Sequence, residues 1–218
     1  MSRGAWPYYY TLGLDFRSNP QGRDAYGIYA FKNELIYNGF SKGVNPSTPY
    51  WGDKAVARTK QAQKFFGLTV DGVLGPETAR CLWRKRITAS ELTLSLPIHL
   101  LAKIKTLESG DDPVAQGVVD TEDEGLFQEN LPSNPSLSQK ECWTPSFIIP
   151  HAASQLHNRI IDCGNSTKAG TAAWNVGDFY ANQWRLAGFP ASGGPIVDGQ
   201  DIYARCDHYV KLVNSEPL

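Results

Sequence analysis

The stretch Gly67-Leu68-Thr69-Val70-Asp71-Gly72-Val73-Leu74-Gly75-Pro76-Glu77-Thr78 most restricts what this chain can fold into. Asp71-Gly72 signals a tight turn, because glycine reaches backbone angles that other residues avoid. Gly75-Pro76 then closes one element and opens another, since proline lacks an N–H and suits a first helical turn. Apolar residues recur at helical spacing on both sides. Val56, Ala62 and Phe66 predict a helix over 53–66 closed by Gly67, and Cys81 and Leu82 predict one from Pro76 up to Arg86. Upstream, Ile28, Phe31 and Leu35 share a face of a helix over 26–40, followed by a loop over 41–51 with Gly43, Pro46 and Pro49. The order predicts a small three-helix unit, preceded by an arm over 1–24 that contains Tyr8-Tyr9-Tyr10.

A second stretch carries the candidate chemistry. From Pro97 to Gly110 the sequence predicts an amphipathic helix with Leu100, Leu101, Ile104 and Leu107 as its buried stripe. Glu108 falls four residues after Ile104 and seven after Leu101, so it continues that stripe, and Gly110 is expected to cap the helix. Desolvation and the negative helix end both disfavour a charged carboxylate there, so Glu108 is a candidate acid that holds its proton. Between Glu108 and Gln139 there is no Lys or Arg, while Asp111, Asp112, Asp120, Glu122, Asp123, Glu124 and Glu129 are all acidic. Like charges nearby would raise the Glu108 pKa further. A small hairpin or irregular loop is expected across 118–128, and the remainder reads as helices from Pro145 to Gly164, from Ser166 through Gly177, over 179–189 and over 201–213. In the last, Ile202, Cys206, Tyr209, Val210 and Val213 form the expected inner face, and 191–195 is read as a loop. The fold class is mainly α.

Composition closes several routes. With 218 residues and a formal net charge of -1, the chain has no basic field for nucleic acid. No apolar run approaches the ~20 residues of a membrane span, and the glycines, Pro7 and Asp15 break the N-terminal segment where a secretion signal would need an apolar core. A cytoplasmic origin and no stable membrane association are expected. Cys81, Cys142, Cys163 and Cys206 lack CxxC spacing, and His99, His151, His157 and His208 lack metal spacing, so neither metal nor organic cofactor is implied. Free thiols fit a cytoplasmic product.

Two family resemblances follow from these motifs. The order helix, Phe-Phe-Gly-Leu-Thr-Val-Asp-Gly-Val-Leu-Gly-Pro-Glu-Thr, helix resembles the three-helix peptidoglycan-binding domain of wall-degrading enzymes, with Asp71, Gly72, Gly75 and Thr78 as its core motif. Downstream, Glu108-Ser109, Gly125-Leu126-Phe127-Gln128, Ala173-Trp174-Asn175-Val176-Gly177 and Tyr209-Val210 with Val213 resemble, in order, the motifs of the soluble lytic transglycosylase and goose-type lysozyme group. That resemblance implies an α+β lysozyme-like domain with little strand. It makes Glu108 the general acid on the glycosidic oxygen, and Ser109 and Gln128 glycan hydrogen-bonding groups. Asn175 would shape the sugar groove, and Tyr209 would hold the Glu108 carboxyl. Asp120, with Glu122 as a weaker substitute, stands where a goose-type enzyme would hold water for hydrolysis. A lytic transglycosylase would instead use the muramyl 6-hydroxyl, and the sequence leaves the two open. Asp123-Glu124 and Glu129-Asn130 depart from the family around its Gly-Leu-Met-Gln motif and suggest an acidic groove entrance.

The expected organisation is a wall-binding domain over 1–88, a linker over 89–94 and a catalytic domain over 95–218. The expected protein is a monomeric bacteriophage endolysin whose partner is bacterial peptidoglycan, held in the host cytoplasm before lysis. Two rivals are a thiol amidase or endopeptidase using Cys142 with His151 or His157, and a non-catalytic wall-binding virion protein.

Overall fold

The computed structural model describes residues 22–117 and 122–216. Its elements run α1 (Gly22–Tyr37), α2 (Asp53–Phe66), α3 (Pro76–Thr93), α4 (Leu100–Ser109), β1 (Asp123–Glu124), β2 (Glu129–Asn130), α5 (Gln139–Cys142), α6 (Pro145–Asp162), α7 (Thr167–Val176), α8 (Asp178–Leu186), β3 (Ile196–Val197), β4 (Gln200–Asp201) and α9 (Ile202–Ser215). The fold is mainly α, as the sequence predicts. The strands among the described residues form two short antiparallel pairs, β1 with β2 and β3 with β4. The expected arm over 1–24 lies outside the described residues up to 21.

Two compact units divide the chain: residues up to Arg86 with Glu108–Ile149, and Ile87–Leu107 with Pro150–Leu218. Both are discontinuous, whereas the sequence suggests a single boundary at 89–94. The reason lies in α3. It does not stop at Arg86 but continues to Thr93, because Trp83, Ile87 and Glu91 recur every fourth residue as a buried stripe. The basic cluster Arg84-Lys85-Arg86 is a solvated face of the helix, with Arg84 and Lys85 exposed, rather than its end.

In the first unit α1, α2 and the N-terminal part of α3 surround Ile28, Phe31, Leu35, Ala62, Leu82 and Trp83. The Phe31 and Trp83 rings lie 4.9 Å apart between centroids. Helix α1 ends at Tyr37, short of the expected residue 40. Gly39 turns left-handed (φ 95°) and the Phe40 N–H returns to the Leu35 carbonyl at 2.8 Å. Helix α2 has the expected bounds, closed by Gly67 at φ 72°. The first unit gives its buried charges polar partners. Arg86 donates to the Glu34 carboxylate at 2.7 Å, and burial raises the Glu34 pKa against the pull of that arginine. Lys32 donates to the carbonyl and hydroxyl of Thr48, and burial brings its pKa down to about 8.

The second unit is built on α7, α8 and α9. Cys163, Ala169, Ala172, Ala173, Ala181, Trp184, Ile202, Cys206 and Val210 form its core. Small residues along α7 let neighbouring backbones approach: a Cβ at Gly170 would sit 2.7 Å from the Ile160 Cα of α6. The inner face expected for α9 is the buried one. The β3–β4 hairpin follows the expected loop over 191–195, in residues to which the sequence reading assigns no element before Asp201. Its corner is Asp198-Gly199, both at positive φ (50° and 73°), as a two-residue hairpin turn requires.

Candidate functional site

The Asp71-Gly72 turn is organised from α2. The Gln63 side chain is 2% exposed, and its Nε2 donates to Asp71 Oδ1 (2.7 Å), the Val73 carbonyl (2.8 Å) and Thr78 Oγ1 (3.2 Å). Its Oε1 accepts the Gly72 N–H at 2.8 Å, and Asp71 Oδ1 also accepts the Val73 N–H at 2.7 Å. One amide thus satisfies donor and acceptor needs of the same loop. Gly72 sits at φ 82°, and Gly75 precedes Pro76 at the start of α3. Of the four motif residues, Asp71, Gly72 and Thr78 hydrogen-bond to Gln63, and Gly75 leads into α3. Gln63 was absent from the sequence reading, although its position eight residues before Asp71 on the buried face of α2 could have revealed it.

Helix α4 carries Glu108. It begins at Leu100 rather than Pro97, because Glu91 of α3 caps it. The Glu91 carboxylate is fully buried and accepts the N–H groups of His99 (2.9 Å) and Leu101 (2.8 Å), and His99 takes φ 73° to present its own. Burial raises the Glu91 pKa, and the His99, Leu101 and Ala102 N–H groups oppose that rise. The expected stripe holds at Leu100, Leu101 and Ile104, but Leu107 is half-buried while Lys105 and Thr106 are buried. Glu108 and Ser109 are half-buried at the C-terminal end, and Gly110 follows at φ 63°. The last turn of the helix therefore holds a half-buried glutamate.

Glu108, Ser109 and Gln128 belong to the first unit. Gly125-Leu126-Phe127-Gln128 is the corner between β1 and β2, with Leu126 and Phe127 fully buried. Gly125 has φ 76°, and a Cβ there would meet the Cys142 carbonyl oxygen at 2.3 Å, so the position admits only glycine. Gln128 Nε2 donates to the Ala115 and Gly125 carbonyls at 3.3 and 3.1 Å, which anchors the corner. The acidic entrance expected from Asp123-Glu124 and Glu129-Asn130 is not what forms. Glu124 is 1% exposed and accepts from Gln139 Nε2 (2.6 Å), Trp143 Nε1 (2.8 Å) and Gln116 Nε2 (2.9 Å). Glu129 is also buried, and Asp123 accepts from Asn130 at 3.0 Å. Glu124 and Glu129 are buried, and half-buried Asp123 bonds across the hairpin to Asn130.

Asn175 and Tyr209 belong to the second unit. Two arginines clamp the Ala173-Trp174-Asn175-Val176-Gly177 segment. Arg159 of α6 donates to the Ala173 carbonyl at 2.9 Å and to Asp178 at 3.2 Å, with its guanidinium 5.7 Å from the Trp174 ring centre. Arg205 of α9 donates to Asn175 Oδ1 at 3.2 Å. Gly177 serves as the junction of α7 and α8 at φ 80°, ψ 159°, a region closed to other residues. Tyr209 is buried on the inner face of α9.

Asp120, named for a water-holding role, lies outside the described residues. Cys142 is fully buried and, through burial first and then Glu129, Glu124 and Glu141, its thiol is pushed up to about 12. A thiol so protonated and enclosed is a poor nucleophile. Among the described residues no His, Cys, Asp or Glu group could hold a metal ion, and no helix is long and apolar enough to cross a membrane.

No curated protein sequence matches the chain. Residues 25–82, the span that contains Gln63, the Asp71-Gly72 turn and Thr78, match the family model of the peptidoglycan binding domain, and the chain therefore carries a peptidoglycan-binding domain there.

Proposed function

We propose that the chain is a peptidoglycan-degrading enzyme, a bacteriophage endolysin that cleaves the β-1,4 bond between N-acetylmuramic acid and N-acetylglucosamine with Glu108 as general acid. The observation that carries this reading is a half-buried carboxylate at the end of α4, in the same compact unit as the Gly125–Gln128 corner, on a chain with a peptidoglycan-binding domain. Partial burial disfavours ionisation of a carboxyl group and suits it to hold a proton until the glycosidic oxygen takes it. The C1–O bond then breaks, and the resulting oxocarbenium-like centre needs a nucleophile. In a hydrolase that nucleophile is water, for which Asp120 is the candidate positioning group. In a transglycosylase it is the muramyl 6-hydroxyl, and Glu108, now ionised, takes its proton. Ser109 and Gln128, in the same unit as Glu108, are the proposed glycan-contacting groups. The enzyme acts as a monomer, is held in the host cytoplasm until lysis and needs no cofactor. Its wall-binding domain raises the local concentration of the catalytic part on a polymeric substrate.

Glu108→Gln tests the assignment. Loss of a general acid lowers the rate of wall digestion by about 10²–10⁴-fold, and unaltered clearing of purified walls would show that Glu108 is not the acid. Mass spectrometry of fragments released by the parent distinguishes the two outcomes: anhydro-muramyl ends mark transglycosylation, and reducing ends marked by solvent ¹⁸O mark hydrolysis. Cys142 burial speaks against the thiol amidase alternative, which predicts inactivation by iodoacetamide.

A further inference from the structure

The residues that identify the wall-binding domain are engaged in holding its turn, so they do not by themselves say where the wall polymer rests. Gly72 and Thr78 are buried, and Asp71 Oδ1 is taken up by Gln63 and Val73. A different surface of the same unit is unaccounted for. Phe40, just past the end of α1, and Phe65 and Phe66, at the end of α2, form a triad with ring centroids 5.8, 6.1 and 5.3 Å apart, all edge-to-face. Phe65 is 76% exposed, the highest value among the large exposed apolar side chains, and Phe40 and Phe66 are half-buried. A single exposed ring is ordinary, but clustered rings held against one another mark an interaction surface.

The triad is preorganised. Each contributing helix ends on a left-handed glycine, Gly39 and Gly67, and the backbone turns back into hydrogen bonds at Phe40 N–H and Leu68 N–H. Arg58 Nε donates to the Lys42 carbonyl at 2.8 Å, which ties the Phe40 loop to α2. Arg58 Nη1 also donates to Gln61 Oε1 at 2.6 Å. Arg58 and Gln61 precede Phe65 by seven and four residues, so they share its helix face. The segment that carries the triad is rich in cations: between Asn38 and Val70 the sequence has Lys42, Lys54, Arg58, Lys60 and Lys64 against Asp53, with Asp71 just beyond.

We infer that this platform seats the wall polymer, with the rings against the C–H faces and acetamido methyl groups of the glycan and the fixed Arg58 guanidinium toward a carboxylate of the peptide stem. The inference rests on the reading of residues 25–82 as peptidoglycan-binding. Charge complementarity selects this occupant: a cationic apolar shelf matches an amphipathic polymer that carries carboxylates, and like charge on the shelf opposes its pairing with a second copy.

The experiment uses the full chain and purified sacculi, sedimented together within minutes at 4 °C. Phe65→Ser is expected to weaken binding about tenfold or more, and Phe65→Trp to keep it. Arg58→Gln is expected to weaken binding by roughly threefold on untreated sacculi and not at all on sacculi whose carboxylates have been amidated. Thermal melting confirms that the Ser variant is folded, as the exposure of Phe65 predicts. If Phe65→Ser sediments like the parent while the parent binds, the platform is not the site and the domain assignment stands. If the parent itself does not bind sacculi, the domain reading fails and takes the inference with it. If size-exclusion chromatography shows a parent dimer that the Ser variant dissociates, the shelf is a self-association surface and the inference is overturned.

Discussion

The turn at Asp71-Gly72 and the corner at Gly125-Leu126-Phe127-Gln128 each have a buried polar side chain beside them, Gln63 at the first and Glu124 at the second, where Gln128 also anchors the corner from within. The chemistry of the two holders differs, and so does their reach. An amide has donors and an acceptor, so Gln63 satisfies an N–H, a carbonyl and a hydroxyl of its own loop and buries no charge. A carboxylate only accepts, so Glu124 must collect donors from Gln116, Gln139 and Trp143, on segments outside the corner. The first turn is nearly self-contained. The second depends on two other parts of the chain being in place, the segment of Gln116 and α5 with its cap Trp143.

The glycines give the largest expected difference between the two. At Gly125 an alanine would combine positive φ with a Cβ 2.3 Å from the Cys142 backbone oxygen, which cannot move without moving α5. Gly125→Ala is expected to destabilise by about 2–5 kcal/mol, the sum of a left-handed conformation and an overpacked core. At Gly72 the nearest atom is Lys60 Cε at 2.8 Å, the mobile end of a side chain, with Val56 Cγ1 at 3.0 Å. Gly72→Ala is expected to cost about 1–2 kcal/mol, mostly from its φ. Urea unfolding of both variants checks this, and equal losses would mean that the corner is no more constrained than the turn.

The holders come next. Gln63→Ala leaves the buried Gly72 N–H and Thr78 hydroxyl without their partner and opens a small cavity, at a cost of about 2–4 kcal/mol. Glu124→Gln keeps the volume but turns an NH₂ toward donors, at a cost of about 1–2 kcal/mol, because Gln116 and Gln139 are exposed and can turn to water. Hydrogen exchange at Gly72 in the first variant, and the Trp143 indole N–H signal in the second, would locate each loss. A Glu124→Gln variant as damaged as Gln63→Ala would mean that the carboxylate network is the stronger brace.

This contrast explains what was legible in the sequence. The wall-binding turn could be read because its signals, Asp71-Gly72 and Gly75-Pro76, lie next to one another and its holder lies on the preceding helix. Helix α2 and the inner face of α9 followed from periodicity alone. The corner residues were identified by resemblance, but the burial of Glu124 and Glu129 was not visible, since a run of acids normally signals solvent and the donors that reverse this are distant in sequence. The same holds for α3 and α4. The sequence reading ends α3 at Arg86 and starts α4 at Pro97, whereas buried Glu91 lies on a continued α3 and supplies the cap of α4. Asp198-Gly199 is a hairpin signal in a stretch to which the sequence reading assigns no element.

A third turn extends the comparison to a holder at the surface, and gives the smallest effect. Asp201 caps α9 and closes the loop before β3. Its Oδ2 accepts the Gly193 N–H at 2.6 Å, and its Oδ1 accepts those of Tyr203 (2.9 Å), Ala204 and Gly194 (3.1 Å each). These bonds, that from Gly193 foremost, hold its carboxyl below the ordinary 3.8. A carboxylate with a depressed folded pKa binds fewer protons folded than unfolded, so its contribution is complete above 3.8 and is lost as pH falls through the folded value. Asp201→Asn keeps the size and capping ability but removes the charge, so it should lower the melting temperature slightly at neutral pH. The gap between parent and variant should close on acidification below 3.8. A gap that persists unchanged in acid would assign the effect to the shape of the cap. It would leave the buried amide of Gln63 and the surface carboxylate of Asp201 as equivalent solutions, differing in position and not in charge.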